Sequence, residues 1–230
     1  MKKAIDGARP LRLIVIGVGG HALVVADAVL RSEGMELLGF VAETEDSSAV
    51  LGIAPLLGNE EVMDGLIANY DADAVAVGIG DNHARMTVIH RVRSKWGDKL
   101  LMPPIIHPAV VVGTGAAVGL GSVVLAGAVV GAGASIGDGC LVNTGASLDH
   151  HSVMEDFSSL GPGVVIGGNV RFGEGAAVSI GAIVLHGRSV GAWSVVGAGA
   201  TVIDDIPSRV VSYGTPARIV RNREPSDRYL

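Results

Sequence analysis

The chain has one cysteine, Cys140, in 230 residues, so no intramolecular disulfide can form and a reducing compartment is expected. Aromatic residues make up only 3% of the composition, which leaves the core to be built from aliphatic side chains and alanine. There is no basic cluster, and 17 Lys+Arg against 23 Asp+Glu give a net charge of −6, which argues against a nucleic-acid partner. Mean hydropathy is high, +0.48. No apolar stretch approaches the roughly 18 residues that span a bilayer, because the excess is Ala, Val and Gly spread along the chain. The start, MKKAIDGARPLRLIVIGVGG, has two lysines but an apolar run too short for a signal peptide. A soluble, cytoplasmic protein without membrane insertion is expected. Cys140 sits at a position where small residues recur and reads as core filler.

What the sequence has instead is a period of six. From Ile106 to Pro207 it divides without insertion into seventeen hexads, and every first position is apolar, from Ile106, Val112 and Val118 through to Val190, Val196 and Val202. The fifth position is usually small (Ala128, Ala134, Cys140, Ala146) and the fourth is usually glycine. Neither helical nor strand periodicity gives six; a β-helix of hexapeptide repeats does. One large and one small side chain per hexad point inward, and glycine supplies positive-φ corners.

Before the repeats, buried strands alternate with helical patterns. Strands are expected at Leu13–Ile16, Leu37–Val41 and Ala74–Ile79, and helices through Leu30, over Asn59–Asn69 and over 82–95. A polar stretch, Glu43–Ser48, follows the second strand, and Pro103-Pro104 marks the junction. The fold class is therefore α/β plus all-β: a small Rossmann-like parallel domain, residues 1–104, followed by a β-helix domain with a C-terminal tail, residues 105–230. Gly17-x-Gly19-Gly20-His21-Ala22 closes the first strand with the glycine spacing that lets backbone approach a diphosphate at a helix N-terminus, and His21 is placed to donate to it. Glu43, about 20 residues on, has the position of a ribose-binding acid. Gly80, Asn82 and Arg85 follow the third strand, where open α/β sheets bind ligands. The other reading of the glycines is a tight turn needed only for packing. A nicotinamide dehydrogenase is disfavoured, since a β-helix rather than a second α/β half follows.

The array breaks its own rule locally. Corner glycine is absent at Ala109, His151, Phe157, Asn169, Trp193 and Asp205, and LDHHSV-MEDFSS are the only consecutive hexads without glycine. Asp149, His150, His151, Glu155 and Asp156 thus crowd a wall otherwise nearly free of charge. Residues 18 apart share a column at about 4.8 Å per coil, so Gly168 is expected beside His150, with His186 roughly 10 Å beyond His150. An imidazole suits taking a proton from an amine or hydroxyl, and Gly168 leaves room for a carbonyl to approach backbone N–H. That is a minimal kit for acyl transfer. Trp193 is expected to pack outside the coil, against a neighbouring subunit; His83, His90 and His107 read as structural or solvated.

Three stretches, IVIGVGGHALVVADA, LVNTGASLDHHSVMEDFSSLGPG and VVSYGTPARIV, resemble the sialic-acid O-acetyltransferase-like group of the hexapeptide-repeat superfamily, which includes nucleotide-sugar N-acetyltransferases. The resemblance implies a left-handed β-helix, a homotrimer with active sites between subunits, acetyl-CoA as co-substrate and no metal. It implies that the N-terminal domain holds a nucleotide-linked amino sugar through Gly17, Gly19, Gly20 and His21. It matches His150 to the general base, Asn143 to an active-site asparagine and Gly168 to the amide meeting the acetyl carbonyl. Ser159, Ile180 and Ala198 fall among the coenzyme contacts, and Gly214, Pro216, Ala217 and Arg218 match the tail at its nucleotide end. The sequence departs where His151 replaces the acid that orients the base, leaving Asp149 to take that role, and where Ser159 replaces a second histidine. The implied activity is N-acetylation of a nucleotide-linked deoxysugar amine by direct transfer. Alternatives are a sugar O-acetyltransferase, a zinc hydratase using His150, His151 and His186, and a silent nucleotide-sugar binder.

Overall fold

The computed structural model describes residues 9–43, 50, 52–97 and 99–229, so the first residues of the chain and the polar stretch beyond Glu43 lie outside the described residues. The N-terminal lobe runs β1 (Leu11–Ile16), α1 (Gly20–Arg31), β2 (Met35–Val41), β3 (Leu56–Gly58), α2 (Met63–Tyr70), β4 (Ala74–Val77) and α3 (Asn82–Trp96). The sheet is parallel in the order β3-β2-β1-β4. Its strand order reverses between β1 and β4, which puts a crevice at their carboxyl ends. β3 was not expected: three residues between Pro55 and Asn59 are too short to show a period. The second helix begins later than its pattern suggests, because Asn59 caps a 3₁₀ turn, Glu60–Val62, that precedes it.

Two-residue strands then repeat from Ile105–Ile106 to Thr201–Val202 as a left-handed parallel β-helix, with Ser147 paired to Val165 and Val165 to Ile183 at the 18-residue coil spacing. First and fifth hexad positions fill one continuous core, including Val130, Ala134, Cys140, Leu148, Leu160 and Phe172. Left-handed φ persists at four corners that lack glycine: His151 at 56°, Phe157 at 60°, Asn169 at 58° and Trp193 at 58°. The coil imposes the corner, and each such residue carries strain on the order of 1 kcal/mol.

The prism's three faces differ. One lies under the N-terminal lobe and is buried at Val123, Leu141, Ala177 and Val195. A second shows Val111, Val129, Val165 and Ile183 at 61, 40, 50 and 40% exposure, an apolar column left uncovered among the described residues. The third is polar, with Ser135, Arg171 and Ser189. Trp193 departs from expectation: it is buried by its own chain, with the His83 ring edge-on at 6.0 Å. His90 meets Phe157 the same way at 5.2 Å. No helix among the described residues is long and apolar enough to cross a membrane.

Candidate active site

A cavity of about 560 Å³ opens where the β1–α1 and β4–α3 turns face the covered side of the prism. Gly20, His21 and Gly80 line it from the lobe, and Asn143, Ser159, Ile180 and Ala198 from the coils. The structure therefore gathers residues expected for the acceptor and residues expected for the coenzyme along one wall. The glycines of the first turn divide by role. Gly17 has φ 111°, and a Cβ there would lie 2.9 Å from the Gly78 carbonyl oxygen, so glycine is needed for packing. A Cβ on Gly19 or Gly20 would meet nothing within 4 Å. Gly19 caps α1 without a side-chain hydrogen bond, so the first-turn N–H groups face open space, an arrangement that suits a phosphate. Asn143 turns its Oδ1 to the Thr144 N–H at 2.8 Å, leaving its amide N–H groups for a ligand.

His21 carries no positive charge here. Burial, and secondarily the nearby Arg85 guanidinium, lower its pKa from 6.5 to about 4, and its Nε2 is buried without a partner among the described residues. At neutral pH it is a neutral imidazole. Because the folded pKa lies below the unfolded one, the unfolded chain binds more protons between pH 6.5 and 4; stability is therefore lost as pH falls through that window. Across it, His21→Gln should lose less stability than the wild type by up to on the order of 3 kcal/mol. Urea unfolding at pH 7 and pH 4.5 measures this, and parallel losses in the two proteins would contradict the assignment.

A second cluster lies on a different edge of the prism. Asn143 follows the coil strand Leu141–Val142, whereas His150 follows Ser147–Leu148, one corner further on. The His150 ring lies across Gly168, where a Cβ would overlap it. With no side chain between them, His150 and His186 lean together to 6.1 Å between ring centroids, closer than coil spacing alone suggests. The Gly168 N–H has no hydrogen-bond partner among the described residues and is free to meet an oxyanion. His150 Nδ1 lies 3.1 Å from His151 Nδ1, which fixes the ring's direction, and Nε2 lies over Gly168. Among the described residues no three metal-ligating side chains converge.

Several expected roles need correction. Asp149 does not orient the imidazole: its Oδ1 accepts the His150 backbone N–H at 2.7 Å, and His151 holds the ring instead. Arg85 and Asn82 are not free for a substrate. Arg85 is fully buried, and its five N–H donors meet Gly139 O, Ile79 O, Gly80 O, Asn82 Oδ1 and Phe157 O. Asn82 passes its amide N–H groups to Gly175 O and Ala176 O. The pair braces the lobe onto the prism, and Arg85 acts on the cavity only through its charge. Glu43 accepts the Glu60 N–H at 3.4 Å, away from the cavity lining. Gly214, Pro216 and Ala217 form the turn between antiparallel strands Val210–Tyr213 and Arg218–Asn222, and Arg218 opens the second of them. Tyr213 covers Gly197, on the same corner column as Asn143, so the tail reaches the cavity's edge of the prism. Cys140 is buried at 0% exposure, and burial pushes its thiol up to about 11, which excludes it as an acyl carrier. The residue that motif reading missed is Tyr229, which lines the cavity from the far end of the chain. Its only sequence signal is a turn, Pro225-Ser226-Asp227, placed to bring an aromatic back.

A left-handed hexapeptide prism joined to a Rossmann-like lobe, with an imidazole lying over Gly168 of the next coil, defines the hexapeptide-repeat acyltransferase class. Residues 12–92 match the PglD N-terminal domain family. PerB from Caulobacter crescentus, solved in complex with CoA and GDP-perosamine, is 34% identical, with a TM-score of 0.82 over 95% of this chain and 99% of its own. The acetyltransferase domain of PglB from Neisseria gonorrhoeae, in complex with acetyl coenzyme A, is 32% identical, with a TM-score of 0.84 over 92% of this chain and 100% of its own. WeeI from Acinetobacter baumannii, at 20% identity and TM-score 0.70, shares the fold. No curated protein matches the sequence. The chain belongs to the nucleotide-sugar N-acetyltransferases of the hexapeptide-repeat superfamily.

Proposed function

We propose that this protein transfers an acetyl group from acetyl-CoA to the amino group of a nucleotide-linked deoxysugar. The observation that carries the reading is the cavity linking an open glycine turn of the lobe to the prism wall, in a chain at least 31% identical to such enzymes over nearly its whole length. The open N–H groups at Gly20 and the neutral His21 suit a diphosphate, with the buried Arg85 supplying attraction from behind. The residues of the Asn143 edge fit an extended thioester arm, with Ile180 and Ala198 apolar. His150 Nε2 takes the proton of the attacking amine, and the Gly168 N–H stabilises charge on the carbonyl oxygen. No covalent acyl-enzyme is needed.

The working unit is a homotrimer. His150 and Asn143 lie on opposite edges of the face that bears Val111, Val129, Val165 and Ile183, and a second copy covering that face would set one chain's imidazole against the next chain's cavity. The N-terminal 1–104 unit binds acceptor and residues 105–230 form the transferase. Incubating the protein with acetyl-CoA and a panel of GDP-, UDP- and dTDP-linked amino sugars should release free thiol and add an acetyl mass to one of them. A hydroxyl acceptor acetylated in preference would favour O-transfer, and no thiol release with any acceptor would remove the reading.

A further inference from the structure

Residues 221–229 form a strap. Arg223 is only 3% exposed and donates to Trp193 O at 2.8 Å, Pro225 O at 3.1 Å and Asp227 O at 2.7 Å. Asp227 in turn accepts the Glu224 N–H at 3.1 Å and faces Arg221 at 3.3 Å. The chain is thereby turned back toward the junction of lobe and prism. The Arg223 guanidinium lies 5.2 Å from the Tyr229 ring centroid and holds that ring against the buried patch of Ala177, Val195 and Val211. The Tyr229 hydroxyl accepts the Asn82 backbone N–H at 3.2 Å, across 147 residues of sequence.

That hydrogen bond uses an oxygen lone pair and leaves the phenolic proton to donate. Burial raises the Tyr229 pKa despite the nearby Arg85, so the proton stays on at neutral pH. The oxygen faces Ser159, and the two hydroxyls form a polar spot beside the apolar Leu160 and Val178. In a cavity whose other end is the Gly20–His21 turn, the group following a diphosphate is the sugar.

We infer that Tyr229, delivered by the C-terminal strap, is a specificity-determining residue that donates a hydrogen bond to an oxygen of the acceptor sugar. The inference rests on the acetyltransferase reading and gives its acceptor site a wall that the glycine turn alone lacks. Loss of one such bond raises KM by about 3- to 10-fold. Tyr229→Phe keeps the ring and the strap and removes only the hydroxyl. It should raise the KM of the nucleotide-linked amino sugar by that factor, with kcat and the KM for acetyl-CoA within about 2-fold of wild type. Calorimetric titration should show the same loss for the nucleotide sugar and none for the matching nucleoside diphosphate, a split that a purely structural tyrosine would not produce. Equal acceptor affinity in folded Tyr229→Phe, or a rise confined to acetyl-CoA, overturns the inference. Should the wild type itself bind no nucleotide sugar, the functional reading fails first, and Tyr229 with it.

Discussion

His150→Ala should lower kcat by about 10²- to 10⁴-fold while leaving assembly intact, the range that a positioned general base contributes. That corresponds to about 3–5 kcal/mol of barrier. The ring is partly exposed at a prism corner, and its removal opens no core cavity, so the fold should tolerate the change. Gly168→Ala should act in the same direction, because the added Cβ would occupy the space of the imidazole. Subunit mixing adds a sharper readout. If one chain supplies the imidazole and the next supplies Asn143, then His150→Ala and Asn143→Ala chains, each nearly inactive alone, should recover part of the wild-type rate when refolded together. Steady-state kinetics and sedimentation of the three preparations measure this. Wild-type turnover in folded His150→Ala protein would end the role assigned to that residue.

Legibility from sequence divided along physical lines. The prism was readable because each hexad obeys the same local rule, and register follows once the period is known. The left-handed corners at His151 and Phe157 show that the coil imposes a conformation even where the residue resists it. The His150–Gly168 juxtaposition followed from the 18-residue column alone. Inter-lobe contacts were not readable. Asp81-Asn82-His83-Ala84-Arg85, at the end of a parallel strand, has the look of a ligand loop, yet its arginine and asparagine face the prism. Only tertiary packing decides which way such a loop turns. Tyr229 was invisible for the same reason, since nothing local ties a C-terminal tyrosine to Asn82. His21 was legible in position but not in charge, which burial sets.

The largest stability effect is expected at Arg85. Its guanidinium joins two carbonyls of the β4–α3 turn to two of the coils, Gly139 and Phe157, so one side chain fastens both lobes. Such a buried charge was costly to desolvate, and five hydrogen bonds with good geometry offset that cost. Arg85→Ala would leave four carbonyls and Asn82 Oδ1 without their donor around a side chain that is fully buried. Removing one partner from a buried network of this kind typically costs about 3–5 kcal/mol, and for a chain of this size a Tm drop of about 10 °C. Lysine would not rescue it: one ammonium carries three donors from a point, whereas the acceptors here are spread around a planar fork. Arg85→Lys should therefore regain less than half of the loss. Differential scanning calorimetry of the two variants tests the brace. A drop below 2 °C in Arg85→Ala would mean that the lobe is held by its apolar contacts alone. The His21 pKa supplies an independent check, because Arg85 contributes to its depression. In Arg85→Lys the charge stays nearby and the depression should persist, whereas in Arg85→Ala it should relax upward, read by NMR titration of the imidazole.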